Sequence, residues 1–234
     1  MIIPKIIHQI WLSKYMSIPP QFTNWGLSWK ALNPDYQYIF WDDLKIDFFL
    51  NNYFGNKKGI LDRFPYDIQK CDILKYLILY VYGGIYADFD SKCVKNLTPL
   101  LDNKTFYITS DPHYSETSLN NSFIASVPKN EFVSLIIDFC FEKALYLKFN
   151  DRINAILNTT GPKMLNLLYE GYPTKEQITI LHYKYTSPLT QIDSYRLLKG
   201  SDSPVLQDKI KEAFVIHYFM GTWVSDEMVV DCFL

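Results

Sequence analysis

Asp72-Ile-Leu-Lys75-Tyr-Leu-Ile-Leu-Tyr-Val-Tyr-Gly83-Gly84-Ile-Tyr86-Ala-Asp88-Phe-Asp90 is the stretch of this chain that decides its fold. Ile73, Leu74, Leu77, Ile78 and Val81 recur at three- and four-residue intervals, the pattern of a helix with a broad buried face. Asp72 and Lys75, three apart, share one side of that helix. Gly83-Gly84 ends it, because glycine alone takes positive φ without steric cost. Ile85-Tyr86-Ala87 reads as a short buried strand, and the chain leaves it through Asp88-Phe89-Asp90. A helix running into a buried strand predicts an α/β fold.

In open α/β sheets, ligands gather at the carboxyl ends of the strands. Two carboxylates one residue apart form a hard-oxygen site suited to Mn²⁺ or Mg²⁺. Strand alternation puts both on one side, with Phe89 packed behind. A cation held mainly by two carboxylates keeps positions for phosphate oxygens, which a nucleotide-diphosphate leaving group needs. A bare Asp-x-Asp is equally a solvated turn. The fixed order of helix, glycine pair, aromatic residue and Asp-x-Asp is what narrows the reading.

Asp72-Ile-Leu-Lys75 followed by Gly83-Gly84-Ile-Tyr86-Ala-Asp88-Phe-Asp90 resembles the DxD sugar transferases of glycosyltransferase family 32. These are relatives of initiation-specific mannosyltransferases and capsular polysaccharide transferases. The stretch is also similar to the core of clostridial toxin glucosyltransferase domains. The resemblance implies a GT-A type glycosyltransferase fold, with a single Rossmann-like mixed sheet flanked by helices. It implies a nucleotide-sugar donor, a divalent cation and retention of anomeric configuration. It further implies a catalytic set of Asp72, Lys75, Asp88 and Asp90. Asp90 would bind the cation. Asp88 would bind it too, or hold donor ribose and sugar hydroxyls beside Tyr86. Asp72 and Lys75 would grip the transferred sugar. Lys75 departs from the family, which usually has arginine there; lysine keeps the charge and loses the bidentate fork.

The resemblance extends along the chain. Ile2 to Leu12 reads as the first central strand, and its Ile6-Ile7-His8-Gln9-Ile10-Trp11 is similar to the family's opening pattern. Ile10 and Trp11 fall at the carboxyl end, where related enzymes hold the donor. Trp11 reads either as the ring that stacks the base or as a core ring, and His8 as a hydrogen-bonded structural histidine. Pro19-Pro20 starts a helix to about Leu32, Tyr36 to Trp41 is the second strand, and Asp42-Asp43 caps a helix. Residues 51–64 read as a polar connection.

After the Asp-x-Asp, Leu97 to Leu101 reads as a turn and Thr105 to Thr109 as a strand. Ser110 to Asn120 reads as a mobile loop near the acceptor. Asn121 falls in a family-like Asn-x-Phe-Ile-Ala pattern and is either a donor-sugar contact or a turn asparagine. Val133 to Tyr146 is an amphipathic helix. Thr159-Thr160-Gly161-Pro162 opens another, whose N-terminus either faces a ligand or only starts a helix. Ile178 to Tyr183 and Ser187 to Leu198 read as short strands and loops. Ala213 to His217 is an apolar strand ending in histidine. In the family's pattern His217 would join Asp88 and Asp90 at the cation, the other reading being a buried structural histidine. Trp223 would cover the diphosphate and exclude water.

The 234 residues are expected to form one glycosyltransferase domain, 1–234. A net charge of −2, with 21% charged residues and no basic block, argues against nucleic acid as partner. Cys71, Cys93, Cys140 and Cys232 form no Cys-x-x-Cys pair, which argues against a zinc site and a disulfide scaffold. The N-terminus lacks a signal-peptide pattern, and the longest apolar run, Tyr76 to Ala87, is too short to span a bilayer. The expectation is a cytoplasmic protein with no membrane span, or one cut from a longer, anchored chain.

These readings combine into a metal-dependent retaining glycosyltransferase using Mn²⁺ or Mg²⁺. Its donor is a nucleotide sugar, UDP-linked ahead of GDP-mannose, and its acceptor a glycan or other hydroxyl. Two alternatives stand. A phosphatase of the haloacid dehalogenase type also has a strand before Asp-x-Asp, but wants Thr or Val where this chain has Ser91. A non-catalytic nucleotide-sugar-binding module would bind the donor and transfer nothing.

Overall fold

In the computed structural model, which describes residues 2–12 and 17–222, strand β1 (Ile6–Ile10) lies between β2 (Gln37–Trp41) and β3 (Gly84–Ala87) and runs parallel to both. Next to β3, antiparallel to it, runs β6 (Ser115–Ser126). β5 (Phe106–Asp111) pairs antiparallel with β6, and β7 (Thr179–Leu181) pairs parallel with β5. The resulting mixed sheet has the order β2-β1-β3-β6-β5-β7. A second, two-stranded sheet joins β4 (Ser91–Cys93), just after the Asp-x-Asp, to β8 (Val215–His217).

The helices are α1 (Pro20–Leu32), α2 (Asp43–Tyr53), α3 (Lys58–Leu61), α4 (Asp67–Tyr82), α5 (Glu131–Glu142), α6 (Arg152–Thr159), α7 (Pro162–Glu170), α8 (Gln191–Leu198) and α9 (Pro204–Ile210). Strand alternation divides the core. Tyr86, Ile108 and Ile124 pack with α4, α5 and α7 through Leu74, Leu77, Ile136 and Leu165. Their neighbours Ile85, Ala87, Phe123 and Ala125 point the other way, against Trp29 of α1 and Val215 of β8. Burying one such leucine or isoleucine contributes about 1.5–3 kcal/mol. Among the described residues, no helix is long and apolar enough to cross a membrane.

α4 ends where the glycine pair requires. Gly83 has φ +64° and ψ −158°, a region essentially restricted to glycine, and Gly84 follows at φ +93°. A Cβ on Gly83 would stand 2.7 Å from the Pro128 ring, and one on Gly84 2.6 Å from the Ile6 carbonyl oxygen. The pair thus turns a buried helix straight into a buried strand.

Several expected elements differ. The segment 51–64 is largely helical, with α2 reaching Tyr53 and α3 following. The expected mobile loop from Ser110 to Asn120 is a β-hairpin, its turn fastened by Asp111 Oδ1 accepting the His113 amide at 2.8 Å. Asn121 therefore sits within strand β6, not in a turn. Ser187 to Leu198 is mainly helix α8, opened by a reciprocal capping box between Thr190 and Asp193. α5 starts at Glu131, two residues before the expected start, because the Asn130 side chain accepts the Phe132 and Val133 amides. Trp223 and Cys232 lie outside the described residues.

Candidate active site

The site forms at the carboxyl ends of β1 and β3. His8 and Gln9, successive residues of β1, hold the two ends of β3 from opposite faces. His8 Nε2 bonds the Gly83 carbonyl at 2.9 Å, and Gln9 Nε2 donates to the Asp88 carbonyl at 3.1 Å. Tyr38 steadies Gln9 by donating to its Oε1 at 2.8 Å. Phe89, between the two aspartates, packs among Trp11, Phe22 and Phe40.

The two-stranded sheet brings in the distant histidine. Ser91 pairs with His217, and the Tyr218 amide donates to the Asp90 carbonyl at 3.0 Å. His217 Nε2 lies 3.1 Å from Asp90 Oδ1 and 3.7 Å from Asp88 Oδ2. Each of Asp88, Asp90 and His217 offers one ligand atom, all within 4.8 Å of one another. The other Asp90 oxygen, Oδ2, accepts the Met220 amide at 2.9 Å. Burial by itself would raise the Asp90 carboxyl, but His217 and the Met220 N–H hold it below the usual range. Burial lowers the His217 imidazole, and Asp90 and Asp88 more than reverse this, so it lies above its ordinary value.

Behind Asp88 lies a buried polar network built on α4. Lys75 Nζ reaches Asp72 Oδ1 at 3.0 Å, Asp88 Oδ1 at 3.1 Å and the Asn121 carbonyl at 3.4 Å, and sits 4.6 Å over the Tyr86 ring. Asp72 Oδ1 also accepts Asn121 Nδ2, and its Oδ2 accepts Thr160 Oγ1, both at 2.9 Å. Tyr76 accepts from Asn121 Nδ2 at 3.1 Å and donates to the Thr160 carbonyl at 2.8 Å. Burial works against the Lys75 charge, yet Asp88 and Asp72 lift its pKa above the ordinary lysine value. Burial pushes the Asp72 carboxyl up, and Lys75 and Thr160 only partly hold it back.

This geometry revises several expected roles. Lys75 Nζ lies within 3.4 Å of three protein oxygens and its side chain is 2% exposed, so a sugar contact from it would have to displace one of them. Ile10 is 5% exposed and part of the core under α2 and α4, which leaves only its backbone to face a donor. Tyr86 is also buried; its hydroxyl donates to Asp88 Oδ1 at 2.9 Å, and burial and then Asp88 keep it a phenol. Asn121 turns its Nδ2 inward, so any sugar contact falls to Oδ1. Trp11 is half-buried, edge-on to Phe22 and tilted against Phe89.

Other neighbours of the site carried little signal in the sequence. Phe219 has a left-handed backbone (φ +49°) and its ring centroid lies 4.1 Å from that of His217. His113 packs edge-on against Phe219 and is held by Asp111 Oδ1, 3.1 Å from its Nδ1. Only the Asp-x-His spacing hinted at that pair.

Residues 19–107 match the family described as a glycosyltransferase sugar-binding region containing a DXD motif. An uncharacterized glycosyltransferase of Acanthamoeba polyphaga mimivirus is 33% identical over 191 residues, covering 80% of this chain and 73% of that protein. The chain belongs to the DXD glycosyltransferase family. Within that family it is 37% identical over 134 residues to inositol phosphoceramide mannosyltransferase 1 of Schizosaccharomyces pombe, covering 56% of this chain. The chain spans 40% and 47% of the lengths of mannosyltransferases 1 and 2 of that yeast. The PaToxG glycosyltransferase structure superposes with a TM-score of 0.60 at 19% identity, covering 91% of this chain and 89% of that one. The fold is the GT-A fold of these transferases.

Proposed function

We propose that this chain is a cation-dependent, retaining glycosyltransferase that moves a hexose from a nucleotide-diphosphate sugar to a hydroxyl acceptor. The observation that carries the reading is the convergence of Asp88, Asp90 and His217 at the carboxyl edge of the sheet. Two carboxylates and an imidazole fit a divalent cation such as Mn²⁺ or Mg²⁺, and the proximity of two half-buried like charges favours one. When bound, such a cation neutralises charge on a departing diphosphate.

The chain's own groups do the rest. Lys75 and Tyr86 orient Asp88, the Met220 amide orients Asp90, and Gln9 fixes the backbone between them. Trp11, at the end of β1, offers its ring to the nucleotide base. Asp72, buried and bonded through both oxygens, is unsuited to act as a nucleophile. Attack by the acceptor hydroxyl on the face the diphosphate leaves, with a leaving-group oxygen taking the proton, accounts for retention through positioning and electrostatics.

The mannosyltransferase names among the relatives move the proposed donor to GDP-mannose, ahead of the UDP-sugar favoured by the sequence. They also suggest a lipid-linked acceptor hydroxyl. Membership of the transferase family sets the phosphatase alternative aside. The test is a thermal-shift screen of GDP-mannose and UDP-sugars with and without Mn²⁺, followed by mass spectrometry of transfer to hydroxyl acceptors. One donor that stabilises only with the cation, and is then consumed, supports the reading. Donors that bind equally without it, or a donor that binds and is never transferred or hydrolysed, would overturn it; the latter outcome belongs to the binding-module alternative.

A further inference from the structure

Building on that cation reading, we propose that Lys75, Tyr86 and the Met220 amide set the cation selectivity of the site. Each occupies one oxygen of an Asp-x-Asp carboxylate, so that Asp88 and Asp90 serve as one-oxygen ligands and the site favours Mn²⁺ or Mg²⁺ over Ca²⁺.

The two carboxylates are restrained in the same way by unrelated elements. Asp88 Oδ1 accepts Lys75 Nζ at 3.1 Å and the Tyr86 hydroxyl at 2.9 Å, leaving Oδ2 as the oxygen on the His217 side, 3.7 Å from Nε2. Asp90 Oδ2 accepts the Met220 amide at 2.9 Å, leaving Oδ1 on that side, 3.1 Å from Nε2. The atoms that converge are therefore single oxygens, one from each aspartate, and one nitrogen.

The restraint on Asp88 is firm because its partner has nowhere else to go. The Lys75 side chain is 2% exposed, so water cannot replace a lost contact. Its Nζ also lies 3.0 Å from Asp72 Oδ1 and 3.4 Å from the Asn121 carbonyl, and Asp72 is held in turn by Thr160 and Asn121. Turning Asp88 to offer both oxygens would break a charge-assisted bond and a hydroxyl bond in a buried setting, where each is strongest.

The cations differ in what they ask of such a site. Ca²⁺ takes six to eight oxygens and readily uses both oxygens of a carboxylate. Mg²⁺ and Mn²⁺ suit octahedral oxygen-rich shells built from single-atom ligands. Asp88, Asp90 and His217 would supply three one-atom ligands to such a cation, with phosphate oxygens and water as the others. Lys75 thus acts as a positioning residue through Asp88, its compact ammonium surrounded by three oxygens.

The experiment is a calorimetric titration of the whole protein with Mn²⁺ and with Ca²⁺, in wild type, Tyr86→Phe and Lys75→Met. The readout is the ratio of the two dissociation constants, which a general loss of stability would not move in one direction. Wild type should prefer Mn²⁺. Lys75→Met should reduce that preference by roughly tenfold, the lower end of what removing groups behind metal ligands costs in affinity, and Tyr86→Phe should reduce it in the same direction. If Lys75→Met fails to fold because Asp72 loses its counter-ion, Tyr86→Phe still decides, since it keeps the ring. A wild-type preference for Mn²⁺ that is unchanged in Tyr86→Phe overturns this proposal and leaves the cation reading intact. Wild type that binds neither cation overturns both.

Discussion

Trp41 Nε1 donates to His8 Nδ1 across 3.1 Å, and this settles which nitrogen of a fully buried imidazole carries the proton. With Nδ1 accepting, Nε2 bears the hydrogen and donates it to the Gly83 carbonyl. The ring is therefore needed in its neutral form. Burial lowers its pKa from 6.5 to about 4, against a smaller opposite effect of the Gly83 carbonyl.

An acid-side loss of stability follows from that ring. Between pH 6.5 and about 4 the unfolded chain takes up a proton that the folded chain refuses. The contribution is complete above pH 6.5, falls as pH drops through this window, and levels off below it. At about 1.36 kcal/mol per pH unit, the gap amounts to about 3 kcal/mol. Urea unfolding across this range should show the slope, and His8→Gln should flatten it by close to one proton. An unchanged slope in the variant would assign the acid sensitivity elsewhere.

The glycine pair makes a second prediction. Gly84 has φ +93°, and an added Cβ would stand 2.6 Å from the Ile6 carbonyl oxygen and 3.2 Å from His8 Nε2. Gly84→Ala should cost roughly 1–3 kcal/mol from backbone strain alone. Because the clash lies between β1 and β3, amide exchange at Ile85 and Tyr86 should accelerate more than at Phe132 or Val133 of α5. Uniform acceleration would mean that the glycine is not a local requirement.

The buried carboxylate on α4 makes a third. Thr160 and Asn121 donate to different oxygens of Asp72 from different elements. Removing either donor, as in Thr160→Val or Asn121→Ala, should destabilise by about 1–3 kcal/mol. Since both act on one carboxylate, the double variant should depart from additivity by about 0.5 kcal/mol or more. Chemical denaturation of the two single variants and the double variant measures this, and strict additivity would show that Asp72 does not couple them.

The sequence exposed the parts of this site that are local. The helix, the glycine pair, the strand and the Asp-x-Asp are consecutive, so periodicity and glycine chemistry place them without knowledge of the fold. His217 was reachable only through family resemblance, because the pairing of β4 with β8 is what brings it to Asp90, 127 residues away in sequence. The engagement of Lys75 was hidden for a similar reason: its partners Asp88 and Asn121 come from two other segments. The hairpin after Asp111 was obscured by exposed Ser115, Glu116 and Thr117, whose polarity resembles that of a loop. Helix α8 was missed although Thr190 and Asp193 carry a capping pattern, because Ile192, Tyr195 and Leu198 do not pack inward and so mark no buried stripe.

The last prediction concerns Asp90. Its Oδ2 accepts the Met220 amide and its Oδ1 faces His217, so asparagine preserves the shape while removing the charge. If a cation binds here, Mn²⁺ at a hundred times its dissociation constant should stabilise the wild type by about 2.7 kcal/mol. For a chain of this size that is a Tm rise of roughly 5–10 °C. Asp90→Asn should lose nearly all of this rise while keeping wild-type far-ultraviolet circular dichroism, since the backbone bond to residue 220 survives through the amide oxygen. Asp88→Asn should lose most of it too, because Lys75 and Tyr86 both donate to the Oδ1 position and so keep the remaining oxygen there, turning the amide nitrogen toward the site. Equal Mn²⁺ shifts in wild type and Asp90→Asn would remove Asp90 from the cation site and leave its bonds to Met220 and His217 as structural.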